Sequence, residues 1–244
     1  MSEILKTEAI VLSKMNYGDT SMISSLFTEE FGRISVIVKG ARSPKSKYGR
    51  IVDLINHLSI VIYTKETRDL QFLSSADLID HYPEIKNDLE KLKYSYSIAE
   101  LLKNLLGEHE TNKRIFKGVV KILNRLNEGY EPPTATFGRF FLFFLKEIGY
   151  EVQIESCAIC GKFDFMKDCF YNYDKGLICG NCKTSVVDNY EIKLELLSYL
   201  KCLKTDESIV NFDNLMFQKA IVFMENHLKY HVPDFNGISS LKHF

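Results

Sequence analysis

Four of the six cysteines fall in two identical spacings, Cys157-Ala-Ile-Cys160 and Cys179-Gly-Asn-Cys182, with eighteen residues between them. A two-residue gap lets a tight turn aim both sulfurs at one ion, and two such turns supply the four thiolates of a tetrahedral zinc site. Gly161 and Gly180 are placed to relieve crowding at those turns. The intervening segment, Phe170 to Ile178, reads as two strands joined at Asp174-Lys175-Gly176, so a zinc ribbon is expected over about 155–185. Four protein ligands leave no open position for water, which makes the expected zinc, one per chain, structural rather than catalytic. One motif alone would leave a thioredoxin-like redox role or plain packing open, whereas two at this separation favour a metal. Cys169 and Cys202 are left over and read as packing residues.

The second chemically suggestive feature is a run of charge. From Phe31 to Val52 the chain holds six basic side chains, Arg33, Lys39, Arg42, Lys45, Lys47 and Arg50, and no acidic one. Such a run fits phosphate contacts, and Tyr17, Phe31 and Tyr48 nearby are candidates for stacking on bases. A solvated loop is the plainer alternative. A second basic set, Arg114, Lys117, Lys121 and Arg125, shares one helical face. It reads either as a solvated face or as a docking surface for an acidic peptide or a nucleic-acid backbone. Nucleotide-binding glycine loops, a nucleophile elbow and a zinc-protease helix motif are all missing from the sequence. The six histidines form no ligand spacing with the carboxylates, so a zinc-stabilised enzyme is the least favoured reading.

The elements that would carry these residues follow from periodicity. Apolar segments at Ala9–Leu12, Met22–Phe27, Ile34–Val38, Leu58–Tyr63 and Leu70–Leu73 are rich in β-formers, lack proline and are separated by turn-like residues, including the polar run 65–69. Five strands in about 80 residues fit a small barrel of the OB type. The stretch from Lys39 to Arg50 is then expected to be a long, mobile connection between the third and fourth strands.

At Tyr82-Pro83-Glu84 the period changes to about 3.6. Ile85, Leu89, Leu92, Tyr96, Ala99, Leu102 and Leu106 form a first helical stripe. A second helix is expected from about Asn112 to Glu128 and a third from Thr134 or Thr136 to Gly149, with its apolar run Phe140–Leu145 at a core. Helical periodicity returns at Tyr190–Lys204 and Leu215–Tyr230. The expected architecture is therefore multidomain α+β: a five-stranded OB-fold barrel over 1–80, then an α-helical domain over 81–244 with the zinc ribbon inserted.

Composition bounds the rest. The chain has 244 residues, 45% apolar and 26% charged, with a formal charge of −1. That is enough for a core without disulfides. Phe140–Leu145, six residues, is the longest aliphatic and aromatic run, far short of the ~20 needed to span a membrane. Residues 1–14 alternate charge and apolar character and hold no signal-peptide core. Cysteines without a secretion signal point to a reducing cytoplasm.

Several segments together resemble the bacterial RecO family of DNA-repair and recombination mediators. They are Tyr17-Gly18-Asp19, Leu26-Phe27-Thr28 with Phe31-Gly32-Arg33, Lys39 to Ser46, Ile148-Gly149-Tyr150 leading to Cys157–Gly161, and Lys175–Cys179 with Cys182; Ile238–Leu241 fits more loosely. The resemblance implies a non-catalytic, nucleoid-associated protein that binds single- and double-stranded DNA and anneals complementary strands. With RecR it would help load RecA onto DNA coated by single-strand-binding protein. The resemblance also implies that the basic stretch Arg33–Arg50 contacts DNA, that the four motif cysteines hold zinc, and that the helical domain takes the acidic C-terminal tail of single-strand-binding protein. For that tail the candidates are Arg139 and the stripe Arg114, Lys117, Lys121 and Arg125. The near-neutral charge departs from the family's expected basic character. A regulator of transcription or translation built from an OB-fold and a zinc ribbon is the competing reading.

Overall fold

The computed structural model describes residues 3–65, 68, 70–163, 169–205 and 213–242. Of the polar turn expected at 65–69, Glu66, Thr67 and Asp69 lie outside the described residues, as does His243. The chain forms two compact units, Met1–Gly129 together with Ile238–Phe244, and Tyr130–Gly237. The boundary at residue 80 marks where strands give way to helices, while the compact units divide later, at Gly129.

The first unit is built on a closed five-stranded barrel of OB type. Its strands are β1 (Glu3–Tyr17), β2 (Ser21–Thr28), β3 (Gly32–Val38), β4 (His57–Thr64) and β5 (Leu70–Asp80), in the order β1-β2-β3-β5-β4. Neighbours are antiparallel except β3 and β5, which run parallel. Closure depends on β1, which pairs with β4 through Glu3–Ile10 and with β2 through Ala9–Tyr17. An irregularity between Val11 and Ser13 bends the strand between its two partners. Alternation then turns Ala9, Val11, Leu26, Ile34, Val36, Leu58, Ile60 and Ile62 into a common core.

The connection from Lys39 to Arg50 is folded rather than an extended arm. Successive turns close through Ser43 N–H to the Gly40 carbonyl (3.1 Å) and Ser46 N–H to the Ser43 carbonyl (2.9 Å). A single helical turn, α1 (Tyr48–Ile51), lays Tyr48 and Ile51 against the barrel core, and Ala41 and Val52 are buried at either end. Apolar anchors every few residues thus hold a segment whose charge pattern alone suggests a loose loop.

Three helices pack in the same unit: α2 (Pro83–Lys86), α3 (Leu89–Leu105) and α4 (Lys113–Glu128). The expected first helix is broken at Asn87-Asp88, where the Asp88 carboxylate caps the N–H groups of Glu90 and Lys91. Leu89, expected on the buried stripe, is consequently 76% exposed in the new first turn. Helix α4 is capped by Asn112 and stopped by Gly129 in a left-handed conformation. Its apolar face places Phe116 against Phe27 and His57 of the barrel. At the other end of the chain, Ser239 and Ser240 donate to the Glu100 carboxylate of α3, and Ile238 is fully buried.

The second unit centres on α5 (Pro133–Glu147), whose Phe137, Phe140, Phe141, Phe144 and Leu145 are buried. A three-stranded sheet follows, β6 (Cys169–Asn172), β7 (Gly176–Cys179) and β8 (Tyr190–Ile192), in the order β7-β6-β8. Helices α6 (Leu194–Lys204) and α7 (Asn214–His231) pack on α5. Tyr190–Ile192 is therefore a strand, not the start of a helix. No helix among the described residues is long and apolar enough to cross a membrane.

One buried polar side chain ties this unit together. His227 of α7 donates from Nε2 to the Tyr150 carbonyl (3.1 Å), and its Nδ1 accepts from the Tyr171 hydroxyl of β6 (3.4 Å). Burial, reinforced by neighbouring His231, pushes its pKa down to about 4. The fold therefore holds the neutral ring, while the unfolded chain takes up a proton near pH 6.5. This contribution is complete above about pH 6.5 and is lost as pH falls toward 4, a loss of about 3 kcal/mol. Denaturant titrations at pH 7 and pH 4.5 are expected to show it, and the His227→Gln variant is expected to lack that part of the pH dependence.

Candidate metal centre and nucleic-acid interface

The four motif cysteines converge. The sulfurs of Cys157, Cys160, Cys179 and Cys182 all lie within 4.8 Å of one another, and Cys160 Sγ is 3.7 Å from Cys179 Sγ. Metal–sulfur bonds of about 2.3 Å at tetrahedral angles require sulfurs about 3.8 Å apart, so the donor set fits zinc. A disulfide would need about 2.05 Å.

Each knuckle is shaped by local backbone bonds. Cys157 N–H donates to the Lys162 carbonyl (2.8 Å), and Gly161 N–H returns to the Cys157 carbonyl (2.9 Å). That return needs Gly161 at φ +72°, where a side chain would be strained. The second knuckle is different: Cys179 ends β7, and Cys182 sits in a 3₁₀ helix, Gly180–Ser185, so Gly180 serves no left-handed turn. The hairpin between the knuckles is set by Asn172, whose Oδ1 accepts from the N–H groups of Asp174 and Lys175.

The electrostatics suit a cation. Burial alone would push the Cys157 thiol up, but the N–H groups of Cys179, Cys160 and Ile159 facing its sulfur bring it down to about 6. Cys182 is pushed up to about 12, first by sharing a hydrogen bond with Cys179, then by burial and the remaining sulfurs. The N–H groups gathered on Cys157 Sγ favour its thiolate, the form in which a cysteine binds metal. Cys169 is not part of the cluster: it is buried, and its Sγ donates to the Ile192 carbonyl (3.1 Å). The carbonyl of Cys202 accepts from Arg139.

The six basic residues of the first unit separate into roles. Arg33 is half-buried, with Nε donating to the Leu106 carbonyl (3.2 Å) and a guanidinium nitrogen 3.6 Å from Glu108. Arg42 donates to the Gly18 carbonyl (3.0 Å) in the β1–β2 turn, next to Tyr17, which is 50% exposed. Lys47 lies 3.6 Å from Asp77, both on the surface. Lys39, Lys45 and Arg50 are exposed. Of the expected stacking residues, Phe31 and Tyr48 pack against the barrel core.

A different aromatic pair lies beside cations on the barrel surface. Tyr63 and Phe72 are cross-strand partners on β4 and β5, with the ammonium of Lys39 4.6 Å and the guanidinium of Arg68 5.2 Å from the Phe72 ring centre. The signal was available: two aromatics flank the 65–69 turn, and Lys65 and Arg68 lie within it.

The tail-binding candidates are divided between the two units. Arg114, Lys117 and Lys121 are exposed and Arg125 half-buried on α4 of the first unit, with Lys117 3.9 Å from Glu29. Arg139 belongs to the second unit, where it is buried against Glu131 (3.0 Å) and donates to the carbonyls of Cys202, Leu203 and Thr205.

An OB-type barrel with exposed cations, followed by a helical region carrying a four-cysteine cluster and a small sheet, defines a class of multidomain barrel proteins with a metal-binding module. Two family descriptions match the chain, "Recombination protein O N terminal" over residues 1–82 and "Recombination protein O C terminal" over residues 86–233. The chain belongs to the RecO family. It is 30% identical to a DNA repair protein RecO of Thermoanaerobacter sp. (strain X514), covering 80% of this chain and 79% of that one. It is 28% identical to a protein of the same name from Chlorobium phaeobacteroides (strain DSM 266 / SMG 266 / 2430), covering 93% and 94% respectively. Against the namesake from C. phaeobacteroides (strain BS1) identity rises to 35%, over 65% of this chain and 61% of the relative.

Proposed function

We propose that this protein is a non-catalytic DNA repair and recombination mediator of the bacterial cytoplasm. It binds single- and double-stranded DNA through the barrel and anneals complementary strands. With RecR, it helps load RecA onto DNA covered by single-strand-binding protein. The observation that carries this reading is the match of both family descriptions, which together run from residue 1 to residue 233. Zinc, one per chain, is the ion we assign to Cys157, Cys160, Cys179 and Cys182; it would hold the two knuckles and the hairpin together and leave no open coordination position.

DNA contact falls to the surface cations among the six, Lys39, Arg42, Lys45, Lys47 and Arg50, with Arg33 bracing the barrel against the segment after α3. Capture of the acidic tail of single-strand-binding protein falls to the helical region. In the second unit, a groove of about 430 Å³ is lined by Tyr190, Leu215, Val222 and Phe223, with Lys219 and Glu191 as its charged residues. It offers an apolar floor for a terminal aromatic ring and a cation for a carboxylate. The stripe Arg114, Lys117, Lys121 and Arg125 is the alternative cationic surface.

The test is salt dependence. With about four phosphates neutralised on single strands, log K against log salt is expected to fall with a slope of roughly −3. Replacing Arg42, Lys45 and Lys47 together by alanine is expected to flatten it toward about −1, and annealing without nucleotide should weaken in parallel. An unchanged slope would mean that these residues only solvate the connection.

A further inference from the structure

Cys169 lies outside both cysteine motifs, yet it is the direct cross-strand partner of Cys179 in the β6–β7 ladder. The two residues are 1% and 6% exposed. Opposite partners in an antiparallel ladder carry their side chains on the same face of the sheet. A fifth cysteine therefore stands beside one of the four sulfurs of the cluster.

The backbone places this pair at the closer of the two spacings that a ladder allows. Cys179 N–H faces Cys157 Sγ (3.4 Å). Two residues earlier, Leu177 N–H donates to the Gln153 carbonyl (3.0 Å), and the Leu177 carbonyl accepts from Ala158 N–H (2.8 Å). Leu177 and Cys179 thus turn their N–H groups away from β6, which makes Cys169 and Cys179 a non-hydrogen-bonded pair. Such pairs bring their Cα atoms to about 4.5 Å, within the ~4.4–6.8 Å that a disulfide spans. At present the sulfurs point elsewhere, Cys179 Sγ into the cluster and Cys169 Sγ to the Ile192 carbonyl (3.1 Å). A change of side-chain rotamer, not of strand position, separates them from a bond.

We propose that Cys169 is the resolving thiol of the cluster, so that oxidation by a peroxide ends in a Cys169–Cys179 disulfide that staples the hairpin in place of the ion. Loss of an ion rests on the zinc assignment above, whereas the pairing rests on the strand register. Cys160 is the exposed member of the four and meets the oxidant first. Its thiolate attacks the peroxide and breaks the O–O bond; Cys160 keeps one oxygen as a sulfenic acid, and the other leaves as hydroxide. Cys179 Sγ, 3.7 Å away, attacks the Cys160 sulfur and expels the second oxygen as hydroxide. Solvent protonates both hydroxides to water. Cys160 and Cys179 are then lost as donors, and the two sulfurs left are too few for a zinc site. Cys169 gives up its proton and attacks Cys179, whose bond to Cys160 breaks; the Cys160 thiolate takes up a proton. Two electrons have passed from sulfur to peroxide, and Cys160 ends reduced. The transfer follows from geometry. A Cys160–Cys179 bond must draw together two knuckles that no longer share an ion, while the ladder already holds Cys169 and Cys179 at the required spacing.

The test takes the full-length, zinc-loaded protein through a hydrogen peroxide titration in the presence of a chromogenic zinc chelator. Remaining thiols are then alkylated, and the protein is digested without reduction for mass spectrometry. Zinc release is expected together with a peptide pair joining Cys169 to Cys179, and dithiothreitol with added zinc should reverse both. Cys169→Ser keeps a donor for the Ile192 carbonyl and all four motif cysteines, so it is expected to hold zinc as the wild type does. Its oxidation should stop at disulfides among those four. Amide exchange across 170–178 should then be about tenfold faster than in the oxidised wild type. Cys169 recovered alkylated, or as its sulfonic acid, from wild-type protein that has lost its zinc overturns the proposal and leaves the zinc assignment standing. Equal amide exchange in the two oxidised proteins overturns the staple. Protein purified without zinc that still forms the Cys169–Cys179 bond overturns the zinc assignment and supports the cysteine pair.

Discussion

Cys179→Ser is expected to release the metal and unfold the segment around the four cysteines while leaving the barrel intact. Cys179 has three roles at once: its sulfur lies in the cluster, its N–H faces Cys157 Sγ (3.4 Å), and its backbone pairs with Cys169 in the β6–β7 ladder. A two-ladder sheet of strands three and four residues long cannot order itself by burial alone. Ion binding supplies about 10–16 kcal/mol in comparable zinc modules, and that energy is folding energy. Elemental analysis should find one zinc per wild-type chain and none in the variant. Limited proteolysis should then cut between Cys157 and Ser185, with residues 1–129 left uncut. Wild-type protein that is fully folded without metal would remove the basis of this expectation.

The parts legible in the sequence were those decided by short-range patterns. Strand alternation between Ala9 and Leu73 placed all five barrel strands, because one face of each must meet the common core. The cysteine spacing identified the cluster, since a tight turn brings neighbouring sulfurs together whatever surrounds it. The expected end of the second helix, at Glu128, falls beside the division between the two compact units. What escaped was decided at long range. Tyr190–Ile192 carries a helical periodicity but pairs with β6 through Tyr190 and Tyr171, and that ladder overrides local propensity. Phe72 looks like a core strand residue, but Gln71, bonded to the backbone of Lys65 and Arg68, takes the buried position beside it. The run Phe140–Leu145, expected at a core, is buried apart from half-buried Phe143. Arg139, immediately before that run, is the most instructive case.

Arg139→Ala is expected to lower the stability of the second unit by about 3–5 kcal/mol. The Arg139 and Glu131 side chains are only 8% and 12% exposed and meet at 3.0 Å, while Thr136 donates to the other Glu131 oxygen (3.1 Å). The far end of the guanidinium donates to the carbonyls of Cys202, Leu203 and Thr205, at the end of α6. The last carbonyls of a helix have no partner within it, and a cation there also opposes the negative end of the helix dipole. Alanine would leave a buried carboxylate and several carbonyls without the group that now satisfies them. Arg139→Lys keeps the charge but loses the planar fork, so an intermediate loss is expected. Chemical denaturation of the three proteins, followed beside titration of an acidic tail peptide, separates the two possible roles of this residue. A destabilised Arg139→Ala that still binds the peptide under folding conditions assigns the arginine to the architecture of α5 and α6. A variant of wild-type stability that no longer binds would instead return Arg139 to the peptide site.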